Sequence, residues 1–293
     1  TLYSFYPYIR MIVLINIYAG ANAQYIEIGG SLGGATYQGD INHLSSKFSF
    51  QGAKMLNGLH VGYHFNEFYA MKLKYTKGSI GADDIESVDV YRRDRNLHFR
   101  SEIREWSLTH EFELLDVLKF FHRYNLKPYV TFGISWFRFN PQAKFRGQWY
   151  DLQPLATEGQ GLPGSRLSPY SLSQISVPFG FGFKYHFSEN LYFGFEISPR
   201  ITFTDYLDDV SSDYPDFDDL RQYKGDLSVQ LSYQGDKKPG GIPISEFTTK
   251  GRGNPGDNDW YIFNSFIVGF KLDPVDYMKR KRSFKHGRKC NFF

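Results

Sequence analysis

Strict alternation of apolar with small or polar residues between positions 174 and 187 constrains this chain more than any other feature. Every second residue from Ile175 to Phe187 is aromatic or β-branched, whereas the residues between them include Ser176, Lys184 and two glycines. Because successive side chains point to opposite faces of a strand, this pattern predicts a strand with one apolar and one small or polar wall. Such a strand fits a membrane barrel or a half-buried soluble sandwich.

The same pattern recurs along the chain and predicts about eight strands. Two of them, about 25–37 and 55–65, are glycine-rich and fit less cleanly. At roughly 10–13 residues each, the segments have the length that a tilted strand needs to cross a bilayer. The predicted strands are 25–37, 55–65, 67–77, 103–114, 128–138, 174–187, 191–203 and 260–272.

Charged residues on the polar faces of these strands separate the barrel from the sandwich. A soluble sandwich would hydrate the charges and bury the aromatics. An antiparallel up-and-down barrel of eight strands would pair the charges in a closed centre and turn the aromatics toward lipid. We expect this transmembrane β-barrel, with a lumen charge network made of Glu27, Lys72, Lys74, Glu105, Glu111, Glu113, Lys184, Glu196, Arg200 and Lys271.

The predicted connections alternate in length. Long stretches follow the odd-numbered strands, at 38–54, 79–101, 139–173 and 205–258, and short ones follow the even-numbered strands, at 65–67, 115–127 and 188–190. Bacterial outer-membrane barrels have long outer loops and short periplasmic turns. We therefore expect both ends of the barrel, at residues 24 and 272, to lie on the periplasmic side.

Residues 1–23 have the features of a cleavable secretory signal peptide. Arg10 precedes a short apolar run, and the segment ends in small residues from Ala19 to Ala23. This order of a basic residue, an apolar core and an A-x-A ending is typical of export signals. A buried first strand of the domain is the alternative.

Residues 273–293 form a basic tail, which we expect in the periplasm. A basic cluster beside a membrane attracts anionic head groups or an acidic protein face, although a solvated end that binds nothing is an equal alternative. The single cysteine, Cys290, lies here, so no intrachain disulfide is possible. The candidate partner-binding residues of the tail are Lys279, Arg280, Lys281, Arg282, Lys285, Arg288 and Lys289.

The longest predicted loop begins with a cluster of carboxylates. Such a cluster can hold a divalent cation through its oxygens, but the spacing matches no calcium-binding loop. We expect a hydrated acidic loop instead. Its members are Asp205, Asp208, Asp209, Asp213, Asp216, Asp218 and Asp219.

No catalytic motif accompanies these features. The chain has no phosphate-binding glycine loop, metalloprotease helix motif or nucleophile elbow. His60, His64 and His110 fall on predicted strands, where a Ser/His/acid set would need chance proximity. We therefore expect neither an enzyme nor a cofactor or metal, and neither a nucleic-acid partner nor a small-molecule substrate.

Five runs carry a family resemblance. They are YIEIGGSLGGATYQGD at 25–40, FNPQAKFRGQWYDLQPLATEGQG at 139–161, PFGFGFK at 178–184, FTDYLDDVS at 203–211 and GRGNPGDNDWY at 251–261. Together they resemble the PorG-like outer-membrane barrels over roughly residues 25–272. The tail from Asp273 onward has no counterpart in this resemblance.

The resemblance implies an outer-membrane component of the type IX secretion system of the Bacteroidetes, linked to protein transport and gliding motility. Such a barrel is associated with a periplasmic ring of a lipoprotein and its partner, PorK and PorN. It is an accessory to export and not the translocation pore. Two other functions stay open from the residues alone: a small OmpA- or OmpX-like structural barrel or solute pore, and a lipid-modifying barrel enzyme.

Overall fold

Ten antiparallel strands dominate the computed structural model, which describes residues 25–41, 52–114, 125–247 and 251–272. Eight long strands form the barrel, and two short ones form a hairpin in a long connection. The strands are β1 (Tyr25–Gln38), β2 (Lys54–His64), β3 (Tyr69–Asp83), β4 (His98–Glu113), β5 (Leu126–Arg138), β6 (Pro141–Phe145), β7 (Gln148–Asp151), β8 (Ser173–His186), β9 (Leu191–Thr202) and β10 (Trp260–Leu272).

The barrel is closed and antiparallel throughout. The sheet runs β3-β2-β1-β10-β9-β8-β5-β4, and the pairing of β3 with β4 joins its two edges. The first and last strands are neighbours, with Ile26 opposite Leu272. Closure gives each of the eight barrel strands two neighbours, as a hydrocarbon environment requires. The predicted eight-strand antiparallel barrel is confirmed.

The connections lie at two different rims. At the terminal rim, where β1 begins and β10 ends, the short connections 65–68 and 187–190 and the connection 114–125 join the strands. At the opposite loop rim, the long connections follow β1, β3, β5 and β9. The described helices lie in these long connections: α1 (Val90–Arg95), α2 (Phe217–Lys224), α3 (Asp226–Ser232) and α4 (Ile244–Phe247).

Two strands are longer than the sequence pattern predicts. Residues 79–101 were expected to form a loop, but β3 continues to Asp83 and β4 begins at His98. The extension is stabilised from inside by Ile80 and Phe99, which are buried beneath the loop-rim connections. It is also stabilised at its edge, where β6 pairs with Arg100 and Ser101. Tertiary packing, and not local alternation, decides where these strands end.

The outer wall of the barrel is apolar. Phe179, Phe181 and Phe193 expose 41%, 43% and 46% of their surface. Exposed aromatic or aliphatic side chains occur on all eight barrel strands, and apolar surface of this extent is rare on monomeric soluble proteins. It is the surface that acyl chains cover on a transmembrane barrel. The soluble sandwich, in which these rings would be shielded from solvent, is excluded.

A hydrophobic core fills the loop-rim half of the barrel and continues into the connections above it. Phe137, Tyr261 and Phe263 point inward from the strands and pack with Phe139 and Leu207 of the connections. The connections that follow β5 and β9 are therefore packed onto the barrel as an ordered cap, which we call the outer cap. Within the described residues, no helix combines the length and the apolar composition that crossing a bilayer demands.

Two predicted segments lie outside the described residues. They are the signal peptide at 1–23 and the basic tail at 273–293, including all seven of its candidate partner-binding cations. Both stay predictions.

Inward-facing glycines make room for large side chains in the lumen, and this generates a test. A Cβ on Gly269 would lie 2.2 Å from the Tyr192 ring, whereas a Cβ on the outward-facing Gly30 would approach no atom closer than 3.7 Å. We expect Gly269→Ala to lower the free energy of unfolding by about 1–3 kcal/mol through overpacking. Urea unfolding of the micelle-embedded barrel measures this. Gly30→Ala is the matched control, and an equal cost for both would contradict the packing argument.

Candidate functional site

The terminal-rim half of the lumen is organised around one buried carboxylate. Glu27 of β1 has no exposed surface. One of its oxygens is hydrogen-bonded to Nε2 of His60 at 2.9 Å, and the other is hydrogen-bonded to Nε2 of His64 at 2.8 Å. Both histidines lie on β2. The Tyr192 hydroxyl donates to it at 2.6 Å, and Nζ of Lys72 lies 2.7 Å away. Side chains of three other strands, β2, β3 and β9, thus converge on Glu27.

An ion-pair chain crosses the lumen from this point. Lys72 also contacts Glu111 at 2.8 Å, and Glu111 contacts Lys184 of β8. Lys184 lies 3.4 Å from Glu113, which pairs with Lys127 at 3.2 Å. Charges of alternating sign therefore link β1, β3, β4, β5 and β8 across the interior. Each buried charge has an opposite neighbour, which offsets its desolvation cost.

Further pairs lie nearer the loop rim. Lys74 contacts Glu196 at 3.0 Å, and Arg200 contacts Glu105 at 3.0 Å. The Tyr261 hydroxyl also donates to Glu105 at 2.6 Å. These groups link β9 and β10 to β3 and β4 on the far side of the barrel.

The structure thus brings nine of the ten predicted lumen residues into ion pairs. Lys271 makes no ion pair within the described residues. Its Nζ lies 4.8 Å above the Tyr25 ring instead. A cavity of about 30 Å³ is left beside Lys72, Lys74 and Glu196. That volume is enough for a water molecule or two and too small for a solute.

The outer cap has its own buried ion pairs. Arg252, which is 2% exposed, contacts Glu158 at 2.9 Å and Asp209 at 3.5 Å. In the neighbouring connection that follows β3, Arg95 at the end of α1 contacts Asp84 at 2.8 Å and also donates to the backbone carbonyl of Arg252 in the cap. Arg252 and Glu158 are 94 positions apart in the sequence, so their ion pair connects distant segments. The cap is therefore cross-linked by charge as well as by apolar packing.

One tyrosine joins the cap to the barrel. The Tyr37 hydroxyl lies 2.7 Å from Oδ2 of Asp208 and 2.8 Å from Oδ1 of Asp259. A hydroxyl has one proton and donates it to one acceptor at a time, so a second short contact is best satisfied by a protonated carboxyl. Burial raises the pKa of Asp208 to about 7 and raises the pKa of Asp259 well above its usual value. Both shifts favour a protonated carboxyl beside Tyr37 near neutral pH.

The expectation of a hydrated acidic loop is wrong for its first members. Asp208 and Asp209 have no exposed surface, and Asp205 is 9% exposed. Burial of Asp208 and Asp209 is tolerated because backbone amides and side-chain hydroxyls donate to them, as when the Tyr170 hydroxyl donates to Asp209 at 2.6 Å. Oδ2 of Asp205 has no hydrogen-bond partner among the described residues. Further along, Asp216 caps the N-terminus of α2. No group of three or more His, Cys, Asp or Glu in the described ranges is arranged to hold a metal ion.

Sequence periodicity missed the polar residues of the cap, because they lie in irregular connections. The family-like runs do contain them: Tyr37 lies in 25–40, Glu158 in 139–161 and Asp208 in 203–211, while Arg252 and Asp259 lie in 251–261. Four of the five runs thus converge on one buried cluster at the loop rim. Resemblance, and not alternation, was the signal available for these residues.

The ion-pair chain predicts a large penalty for removing its central cation. We expect Lys72→Met to lower the free energy of unfolding by about 3–5 kcal/mol, because Glu27 and Glu111 are then buried without their cation. Tryptophan fluorescence during urea unfolding measures the loss. Lys237→Met removes an exposed lysine of the cap and should change stability by less than about 0.5 kcal/mol. Similar losses for the two variants would show that the lumen pairing is unimportant.

The cap should be more stable in acid than at neutral pH. Burial also raises the pKa of Asp209, to about 6. A carboxyl with a higher pKa when folded stabilises the fold below its unfolded pKa of about 4, and this contribution is lost as the pH rises toward the folded pKa. We expect amide-exchange protection at 205–211, corrected for intrinsic rates, to fall at least about tenfold between pH 5 and pH 8. Asp208→Asn is neutral at every pH and removes one of the titrating carboxyls, so the fall should become smaller while Asp209 still contributes. An unchanged fall would refute the role of Asp208 protonation.

Comparison with solved structures finds bacterial surface proteins of low identity. Neisserial surface protein A is 11% identical, with 86% of this chain and 99% of that chain covered and a TM-score of 0.39. The N-terminal β-barrel domain of Pseudomonas aeruginosa OprF is 14% identical, with 85% and 97% covered and a TM-score of 0.33. The outer membrane protein OprG of Pseudomonas aeruginosa is 11% identical, with 87% of this chain and 98% of that chain covered and a TM-score of 0.37.

No curated protein matches the chain. A family model does match residues 6–154, which is more than half of the chain and reaches from the N-terminal segment to the β6–β7 hairpin and the residues just after it. The chain therefore belongs to the family described as Domain of unknown function (DUF6089).

Proposed function

We propose that this barrel is a non-enzymatic outer-membrane component of the type IX protein secretion machinery, where it anchors or stabilises a periplasmic ring complex. The filled lumen is the observation that carries the non-conducting part of this proposal. Ion pairs from Glu27 to Lys127 cross the barrel, and the outer cap packs over the loop rim. A barrel filled in this way has no room to conduct a protein, so its role depends on its surfaces.

Support for the secretion role comes from the PorG-like runs. Those runs supply the cap cluster of Tyr37, Asp208 and Asp259, which is more specific than the glycine and aromatic alternation of any barrel strand. A structural barrel of the OmpA or OmpX type would also have a sealed lumen. The secretion role differs from it in one respect, since it requires a periplasmic partner.

The terminal rim is the surface that we assign to that partner. With the long connections outside the cell, this rim faces the periplasm. Its turns present Phe68, which is 44% exposed, and Phe187, which is 69% exposed. β10 ends at this rim, and the predicted basic tail 273–293 follows it in the sequence. The expected partners are ring proteins of the PorK and PorN type.

Crosslinking in native membranes tests the partnership. We expect the full-length barrel to capture PorK- and PorN-like proteins, and deletion of 273–293 to reduce the yield severalfold because seven cations are lost. The matched control replaces Arg221, Lys224 and Lys237 of the outer cap with glutamine and should leave capture intact. Failure of the full-length protein to capture any ring protein would refute the secretion role in favour of a structural barrel.

Conductance separates the proposal from a solute pore. In planar bilayers the purified barrel should show no stable open level, because ion pairs cross the lumen and the cavity beside Lys72 measures about 30 Å³. Reproducible ohmic steps would favour the pore. A lipid-modifying activity is less well supported, and unchanged outer-membrane lipid in cells with and without the gene would agree with a non-enzymatic role.

A further inference from the structure

Charge on the outer wall of the barrel is confined to one arc. The outward-facing positions of β1, β2, β8, β9 and β10 carry no Asp, Glu, Lys or Arg within the described residues. Those of β3, β4 and β5 carry four cations and two anions, all toward the loop rim. They are Lys77, Asp83, Arg100, Glu102, Arg104 and Arg138.

Three of the cations form a row across adjacent strands. Lys77 pairs in register with Arg104, and Arg104 pairs in register with Arg138. Neighbouring strands lie about 4.8 Å apart, so the row spans about 10 Å, on the scale of one lipid head group. Arg138 makes no ion pair within the described part of the chain, and Glu102 contacts the other two cations at 2.6 to 3.3 Å.

A row of aromatic rings lies directly below this cationic row. Tyr75 is in register with Trp106, and Trp106 is in register with Trp136. The two indoles are about half exposed, at 49% and 51%. Aromatic girdles of this kind mark the boundary between acyl chains and head groups. On each strand the cation lies two positions nearer the loop rim than the aromatic residue. The cations are therefore at the level of the head groups.

A groove lies beside the row. It has a volume of about 530 Å³ and separates Arg104 and Arg138 from the β6–β7 hairpin, which contributes Gln142 and Asp151. Arg100 lies at the same side of the hairpin, where its guanidinium stacks 3.9 Å from the Trp149 ring. The carboxylate of Asp151 is engaged by Asn140 and Gln142. The four cations of the arc outnumber its two anions, Asp83 and Glu102, so its net charge is positive.

We propose that the row of Lys77, Arg104 and Arg138 is a binding site for the phosphate groups of an outer-leaflet glycolipid, whose acyl chains lie against Tyr75, Trp106 and Trp136. Arginine forks bind phosphate oxygens in pairs, and aromatic surface below them suits hydrocarbon. A barrel that needed only general solubility at the interface would distribute its cations around the wall. The inference rests on the outer-membrane orientation proposed above but not on the periplasmic ring.

Native mass spectrometry of the purified full-length barrel tests the site. The probes are diphosphorylated lipid A, the same lipid after phosphatase treatment, and phosphatidylglycerol. We expect lipid A to bind, and its affinity to fall about fivefold for each cation removed, or roughly 100-fold for Lys77→Gln, Arg104→Gln and Arg138→Gln together. The matched control is the triple variant Arg221→Gln, Lys224→Gln and Lys237→Gln, which removes equal charge from the cap and should bind as the parent does.

Three outcomes would overturn the proposal. They are equal binding by the row variant and its control, equal binding of the dephosphorylated lipid, and equal binding of phosphatidylglycerol, which would remove the preference for the glycolipid. Heat-modifiable migration checks that each variant is folded, and the phosphatase comparison on the parent protein needs no variant. Loss of ring capture with intact lipid binding would refute the secretion role and leave this site standing.

Discussion

The compensation of buried charge inside a closed wall is the constraint on which the rest of the structure depends. Glu27, Lys72 and Glu111 lie in a space without bulk water, and each is tolerated because an opposite charge lies within 3 Å. The pairs link strands on opposite sides of the barrel, so they hold the lumen closed as well as neutral. On the terminal-rim side of the apolar core that contains Phe137 and Tyr261, the charges take the inward positions and the apolar side chains of the strands face outward. Interior charge and exterior hydrophobicity are thus two consequences of one arrangement.

The sequence predicted the barrel because alternation reports directly which wall a side chain faces. From Ile175 to Phe187 the inward and outward positions differ in polarity at nearly every step, and the same holds for the lumen charges from Glu105 to Glu113. The register between strands then follows from matching faces, since a slip of one residue would exchange the two walls. Ion-pair partners such as Lys184 and Glu111 lie 73 positions apart, and their pairing needed the three-dimensional structure.

The outer cap escaped prediction for a physical reason. Tyr37 and Asp259 meet across 222 positions, and no local pattern connects them. A run of aspartates in a loop looks hydrated when judged by composition alone. In the structure Asp208 accepts hydrogen bonds from the backbone amides of Ile41 and Val210, which replace its water. Irregular backbone leaves amides free to do this, and strand pairing does not.

The seam between β1 and β10 sets an order on assembly. Gly29 of the first strand pairs with Gly269, which lies near the other end of the chain. Neither strand therefore has its full set of partners until nearly the entire chain is present. Synthesis from the N-terminus delivers the closing strand last, after the long connection that builds the cap. Until then the nascent sheet has two open edges and an uncovered apolar face, which invite pairing with other chains. A carrier that shields those edges before insertion is therefore a physical requirement of this topology.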